Sequence, residues 1–249
     1  MTCQLCRQEV PLIDAHIIPR PFFRTKEPGG VPKFLSNTDG AYPKRAPIGI
    51  YDPGILCAIC DGRLGRWDEY GIDLFLQRLV DFAPVVERGE IVAFRQESFD
   101  YARLRLFLLS VLWRAHLSSH DMFRRVDLGE RAVRLRELID SETPGDSTEF
   151  SITLSAFTVK GQIPTIGIPL ADPFMETWDG VRSCRISFGV VTAYISVDAA
   201  PLPPALMTMG VIDGQPLVLV ERDYSTSSEI EVARSIARSP QNSRAFRKA

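Results

Sequence analysis

Two pairs of cysteines, Cys3/Cys6 and Cys57/Cys60, each spaced C-x-x-C, constrain this 249-residue chain more than any other feature of its sequence. A C-x-x-C turn presents two thiolates from one tight loop, and two such turns supply the four soft ligands of a closed tetrahedral zinc site. No coordination position stays open in such a site, so the Zn²⁺ it predicts is structural. Disulfides are the competing use of four cysteines. The chain opens on polar Met1-Thr2-Cys3-Gln4 rather than on a charged segment leading into an apolar stretch. The expectation is therefore a cytoplasmic protein whose thiols stay reduced. Cys184 lies in a strand-like run, where a buried, inert thiol is expected.

With 45% apolar residues, the chain can bury one large core or carry a small module attached to a larger domain. Its most hydrophobic stretch, 104–117, is interrupted by arginines, and no run approaches the roughly 20 residues that cross a bilayer, so no membrane partner is expected. A net charge of −2 and a pI near 6.0 exclude a surface coated in positive charge. Contact with nucleic acid would have to come from local patches. Residues 17–48 carry six basic side chains (Arg20, Arg24, Lys26, Lys33, Lys44, Arg45) against Glu27 and Asp39. The tail from Arg234 carries five basic residues and no acidic one, as solvated chain ends commonly do.

Seven prolines between Pro19 and Pro53 block both helix and continuous sheet and predict a long surface loop between the cysteine pairs. Its Phe22-Phe23-Arg24 and Lys33-Phe34 clusters suit base stacking beside phosphate pairing, or else fold back on a small core. From Cys60 the spacing of Leu64, Trp67, Gly71 and the leucines at 74–79 is helical up to Pro84. A short strand is expected at 91–94. A central helix is expected at 101–119, with Leu104, Leu108, Val111, Leu112 and Ala115 on one face, and another at about 129–140. Beyond Pro144-Gly145 the period becomes alternating: 150–157, 163–170, 184–197, and a pair 207–212 and 217–221 joined by Asp213-Gly214, a hairpin signal. A short helix near 229–237 and a basic tail follow. The fold class is therefore α+β: a zinc-bound module at 1–83 with a Pro-rich loop, and an α+β domain at 84–249 with helices at about 101–140 and mostly antiparallel strands at about 150–222.

His16 stands ten residues after Cys6 within Ala15-His16-Ile17-Ile18-Pro19, and Asp61 directly follows the second cysteine pair at the start of the first helix. The order of knuckle, strand with histidine, loop, knuckle and acidic residue over about the first 70 residues resembles the zinc-knuckle form of the HNH, or ββα-metal, endonucleases. It looks closest to bacterial proteins with C-x-x-C, H-I-I-P and C-x-x-C followed by an acidic residue, as does the helix segment Ser110-Val111-Leu112-Trp113-Arg114-Ala115. The resemblance implies a ββα-metal-like module in which His16 is the general base and Asp61 binds a catalytic Mg²⁺ or Mn²⁺, for hydrolysis of phosphodiester bonds in DNA or, as the lesser choice, RNA. That division of labour is chemically sound. An imidazole that titrates near neutrality can take a proton from attacking water, and a cation on a carboxylate neutralises charge developing on the phosphate.

The family often places an acidic metal ligand just before the histidine, and this chain has Ala15 there. Glu69, eight residues after Asp61, is expected on the same helix face as a substitute ligand, with Asp68 less well directed. Arg20, Arg24 and Arg63 are candidate phosphate contacts. Helix capping is the competing role for Asp61, and a backbone-bonded interior position the competing role for His16. Arg114, inside an apolar helix, needs a carboxylate that the zinc module could provide. His116 and His120 stand four apart but lack the intervening glutamate of H-E-x-x-H, so a favourable interaction with the helix C-terminus is expected of them. Two alternatives to the endonuclease stay open. One is a catalytically inactive zinc module that binds nucleic acid or protein, with a protein partner also possible through the C-terminal domain. The other is a zinc module that only braces a sheet that binds a small ligand.

Overall fold

The computed structural model describes residues 1–23, 33–35, 44–45, 49–164, 168–178, 180–198 and 203–238. The strands are β1 (Ala15–Ile18), β2 (Lys33–Leu35), β3 (Lys44–Arg45), β4 (Ile50–Asp52), β5 (Ala83–Glu87), β6 (Glu90–Gln96), β7 (Ile152–Thr158), β8 (Leu170–Ala171), β9 (Phe174–Trp178), β10 (Val181–Phe188), β11 (Val191–Ser196) and β12 (Leu217–Asp223). The helices are α1 (Ala58–Ile72), α2 (Tyr101–Leu117), α3 (Arg131–Asp140), α4 (Pro204–Met207) and α5 (Ser228–Arg238).

Strands β1 and β4 pair antiparallel, with Ala15 opposite Asp52 and His16 opposite Tyr51, and α1 starts directly after the second cysteine turn. Seven strands form the main sheet in the order β5-β6-β12-β7-β11-β10-β9, antiparallel throughout except where β12 runs parallel to β7. The α+β class and the mostly antiparallel C-terminal sheet agree with the sequence pattern.

Helix α2 is the centre of the molecule. Its N-terminus is capped by the Asp100 carboxylate, which accepts from the Arg103 amide at 2.9 Å. Every residue from 104 to 115 is buried, not one face only, because α1, α3, β1 and the sheet all pack around it. Gly71 lets α1 come close, since a Cβ there would stand 2.4 Å from the Phe107 ring. Phe107 in turn packs on Phe188 of β10, ring centroids 5.2 Å apart, joining helix to sheet. Arg105, fully buried in the same helix, donates to the carbonyls of Pro144, Asp146, Glu149 and Phe150 and so fastens the loop that leads into β7.

The division expected at 83/84 falls at the first residues of β5, and one apolar cluster has members on both sides of it. Two strand expectations are corrected. The run 184–197 is two strands folded at Gly189-Val190. Asp213-Gly214 is a turn, but 207–212 is not a strand: α4 and a single bridge from Gly210 to Thr153 occupy that stretch, and β12 pairs with β6 and β7 instead. The stretch meets the sheet at that bridge and where the Val211 amide donates to the Ile152 carbonyl. Of the two roles open to Phe22 and Phe23, the structure shows the second: both are buried in the core, where Phe22 meets Phe107 and Phe188. Arg24 and most of the Pro-rich loop lie outside the described residues.

Candidate metal centre and the adjoining histidine site

The four sulfurs of Cys3, Cys6, Cys57 and Cys60 lie within 4.8 Å of one another, and all five cysteines of the chain are free thiols. Tetrahedral Zn–S bonds of about 2.3 Å place sulfurs about 3.8 Å apart, so the four could hold a metal ion such as zinc. The two turns meet because backbone bonds hold them: Gln4 N–H donates to Ile55 O, and Ile13 N–H to Leu56 O, both at 2.9 Å. The Cys57 amide donates to Cys3 Sγ at 3.4 Å. Burial acts to raise the Cys3 thiol, but the amides of Cys6, Cys57 and Leu5 outweigh it and pull the pKa down to about 7. Cys60 moves the other way, raised by burial and by its sulfur neighbours. One sulfur is thus prepared for the thiolate form that metal binding requires.

Helix α3 straps this centre to the rest of the molecule. Arg136 donates to the Leu5 carbonyl at 3.1 Å, inside the first cysteine turn. Arg63 reaches the Asp140 carboxylate at 3.2 Å and the Asp140 carbonyl at 2.6 Å, and Arg66 makes two 3.0 Å bonds to Glu142. Arg63, expected to face phosphate, is therefore committed to Asp140 and Glu142; an arginine on α1 finds acceptors across the helix pair before it finds solvent. Arg20 is exposed in a short helical turn after β1.

His16 is half-buried on β1. The backbone of Gly49, at φ +85°, lies close to its ring: a Cβ there would come within 3.1 Å of His16 Cδ2. Tyr51 stands edge-on to the imidazole with centroids 6.5 Å apart. Beneath the histidine, Arg114 of α2 is buried to 1% exposure and forms a two-pronged ion pair with Asp68 of α1, at 2.6 and 2.9 Å. The same guanidinium donates to the His16 carbonyl at 2.8 Å. Arg114 thereby finds its carboxylate in the N-terminal module and fixes the backbone of the histidine strand. Burial raises the Asp68 carboxyl above the usual carboxylate range despite Arg114, the charge of Asp61 pushes it further, and His16 opposes the rise. His16 and Asp61 thus each lie within electrostatic reach of Asp68.

Asp61 is half-buried in the first turn of α1 and is not its N-cap. Cys57 occupies that position, and the Asp61 amide already donates to the Cys57 carbonyl. Glu69 is exposed. At 100° per residue, eight positions turn the side chain about 80° from Asp61, whereas seven turn it about 20°, so Asp68 and not Glu69 shares the face of Asp61. Among the described residues, no group of three or more histidines, cysteines and carboxylates gathers like the four cysteines do.

Asp52, which the sequence pattern did not mark, is buried on β4. Burial opposes its ionisation, but the Gly54 amide and the Ser119 amide and hydroxyl, with Ser118, hold its pKa below the usual range. It ties the histidine hairpin to the end of α2. His116, in the last turn of α2, accepts from the Leu128 amide and His120 from the Met122 amide, so both histidines also organise the chain after the helix. A scan against protein-family models and searches of curated proteins and of solved structures return no match to this chain.

Proposed function

We propose that the protein is a zinc-braced, HNH-like endonuclease that hydrolyses phosphodiester bonds, DNA being the preferred substrate. The observation that carries this proposal is the Arg114 bridge that joins the His16 strand to Asp68, on the same face of α1 as Asp61, beside the four-cysteine cluster. His16 takes the proton from the attacking water. Asp61 would hold a Mg²⁺ or Mn²⁺ ion, a hard cation suited to carboxylate, water and phosphate oxygens, and the ion would neutralise charge developing on the phosphate. Asp68 is spoken for by Arg114, so it orients the site rather than binding the cation. Cys3, Cys6, Cys57 and Cys60 would hold a Zn²⁺ ion that braces the strand and helix at their separation.

Purified protein is expected to nick plasmid DNA only with Mg²⁺ or Mn²⁺ added, and His16→Ala to lose at least 100-fold of that rate while zinc content and circular dichroism stay unchanged. Undiminished nicking by His16→Ala removes the histidine from the mechanism. One observation favours a second function, a non-catalytic nucleic-acid-binding module: with Ala15 before the histidine and Asp68 paired, the chain offers the cation a single carboxylate. That function predicts salt-sensitive binding with no cleavage in any divalent metal.

A further inference from the structure

The main sheet has a second face that the histidine site does not use. Alternation along each strand sends Leu154, Ile186, Ala193 and Leu219 to the core under α2, and sends Ser155, Arg185, Tyr194 and Arg222 to the opposite side. An outer sheet face rich in polar groups is ordinary when it meets water, yet here Thr153, Ser155, Ser183 and Thr192 are all buried. A cleft of about 350 Å³ opens on this face. It is floored by β7, β11 and β12 and rimmed by Leu206 of α4 and by Met209, and a smaller recess of about 290 Å³ beneath α5 shares Glu176 and Arg185 with it.

The charges in the cleft are held in place and unevenly matched. Arg185 lies over the Phe174 ring at 4.0 Å and Arg222 over the Phe157 ring at 4.6 Å. Both guanidiniums converge on one buried carboxylate, Glu229, at 3.2 and 3.0 Å, and Arg222 also donates to Tyr194 Oη at 2.6 Å. Two cations sharing one anion leave a positive charge over. Glu176 carries the matching negative charge on the cleft wall, but among the described residues it forms no ion pair with either arginine. Burial raises its pKa, and the two arginines only partly offset that. A half-buried carboxylate and a fixed guanidinium pair that face one cavity without touching are costly unless something spans them.

We propose that this cleft binds a small organic zwitterion with an apolar side chain, an α-amino acid being the simplest molecule of that kind. Its carboxylate meets the Arg185 and Arg222 side, its ammonium meets Glu176, and its side chain lies against Leu206, Met209 and Val220. A simple carboxylate would satisfy the arginines but stand beside Glu176 without a proton to share, and a simple amine would leave the surplus cation unmatched. The volume lies at the small end of the range for organic ligands, about 300–1,000 Å³.

Isothermal titration calorimetry on the full-length, metal-loaded protein tests this with leucine, isoleucine, methionine and phenylalanine, beside 4-methylpentanoate and 3-methylbutylamine, which keep one charge each. At least one amino acid is expected to bind, with both single-charge analogues at least tenfold weaker. Glu176→Gln is expected to weaken the amino acid tenfold or more and leave 4-methylpentanoate binding no weaker. Leu206→Trp, which fills the cleft from its rim without touching a charge, is expected to abolish binding and serves if Glu176→Gln does not fold. Absence of binding by all four amino acids, equal binding of 4-methylpentanoate, or wild-type affinity in Glu176→Gln or, where that variant does not fold, in Leu206→Trp overturns the proposal. The outcome is independent of nuclease activity, since no residue of the cleft belongs to the histidine site.

Discussion

Replacing Arg114 with methionine tests how the histidine strand is held. The guanidinium is 1% exposed and makes two bonds to Asp68, one to the His16 carbonyl and others to Ser110. Methionine fills much of the volume but leaves the Asp68 carboxylate buried without its cation, and breaking one partner of a buried pair costs about 3–5 kcal/mol. The pH dependence has a definite sign. The folded-state pKa of Asp68 already lies above its unfolded value, so its ionised form weighs against folding, and the stability present at low pH is lost as pH rises through that pKa. Removing Arg114 raises the pKa further, each unit being worth about 1.4 kcal/mol.

The deficit of Arg114→Met should therefore be smaller near pH 4.5 than near pH 8, read from urea unfolding at both pH values. Asp68→Asn in the same background should remove the pH dependence, and the double-mutant cycle should return a coupling energy of at least about 1.5 kcal/mol. A loss below about 1 kcal/mol, equal at the two pH values, would falsify the assignment of a buried charge pair beneath His16.

Two further outcomes follow from the same geometry. Gly49→Ala should cost about 1–3 kcal/mol in chemical denaturation and shift the His16 ring resonances, because φ +85° disfavours a side chain and the new methyl would press on Cδ2; an unshifted ring would show that the backbone there can yield. Metal analysis of freshly purified protein should give one zinc per chain, and a strong chelator should lower the melting temperature, whereas Cys60→Ala should purify without metal and be insensitive to the chelator.

The cysteine cluster and the central helix were legible because their signals are local. A C-x-x-C spacing fixes two ligands whatever surrounds it, and the apolar residues of α2 repeat at helical steps. The phase of α1 was legible in principle, and counting degrees instead of turns would have chosen Asp68 over Glu69. Other features depend on partners far along the chain. Residues 207–212 alternate like a strand, but β12 finds its neighbours at β6 and β7, so the hairpin that Asp213-Gly214 suggests has no second arm. Asp52 looks like any loop aspartate until the end of α2 brings Ser118 and Ser119 to it. β5 starts at Ala83 with Pro84 as its second residue, a position tolerated at an edge strand and nowhere deeper in a sheet.

The place of β12 has a consequence for how the molecule is made. This strand sits between β6 and β7, although more than 50 residues of chain separate it from the end of β7. As synthesis proceeds, the cysteine centre, α1 and α2 can assemble early, whereas the β5–β6 ribbon and the β7–β11–β10–β9 group each wait with an open edge until β12 arrives. Joining two preformed halves through one late strand is a slow, long-range closure. Until it happens, those bare edges are the surfaces through which nascent copies would stick to one another.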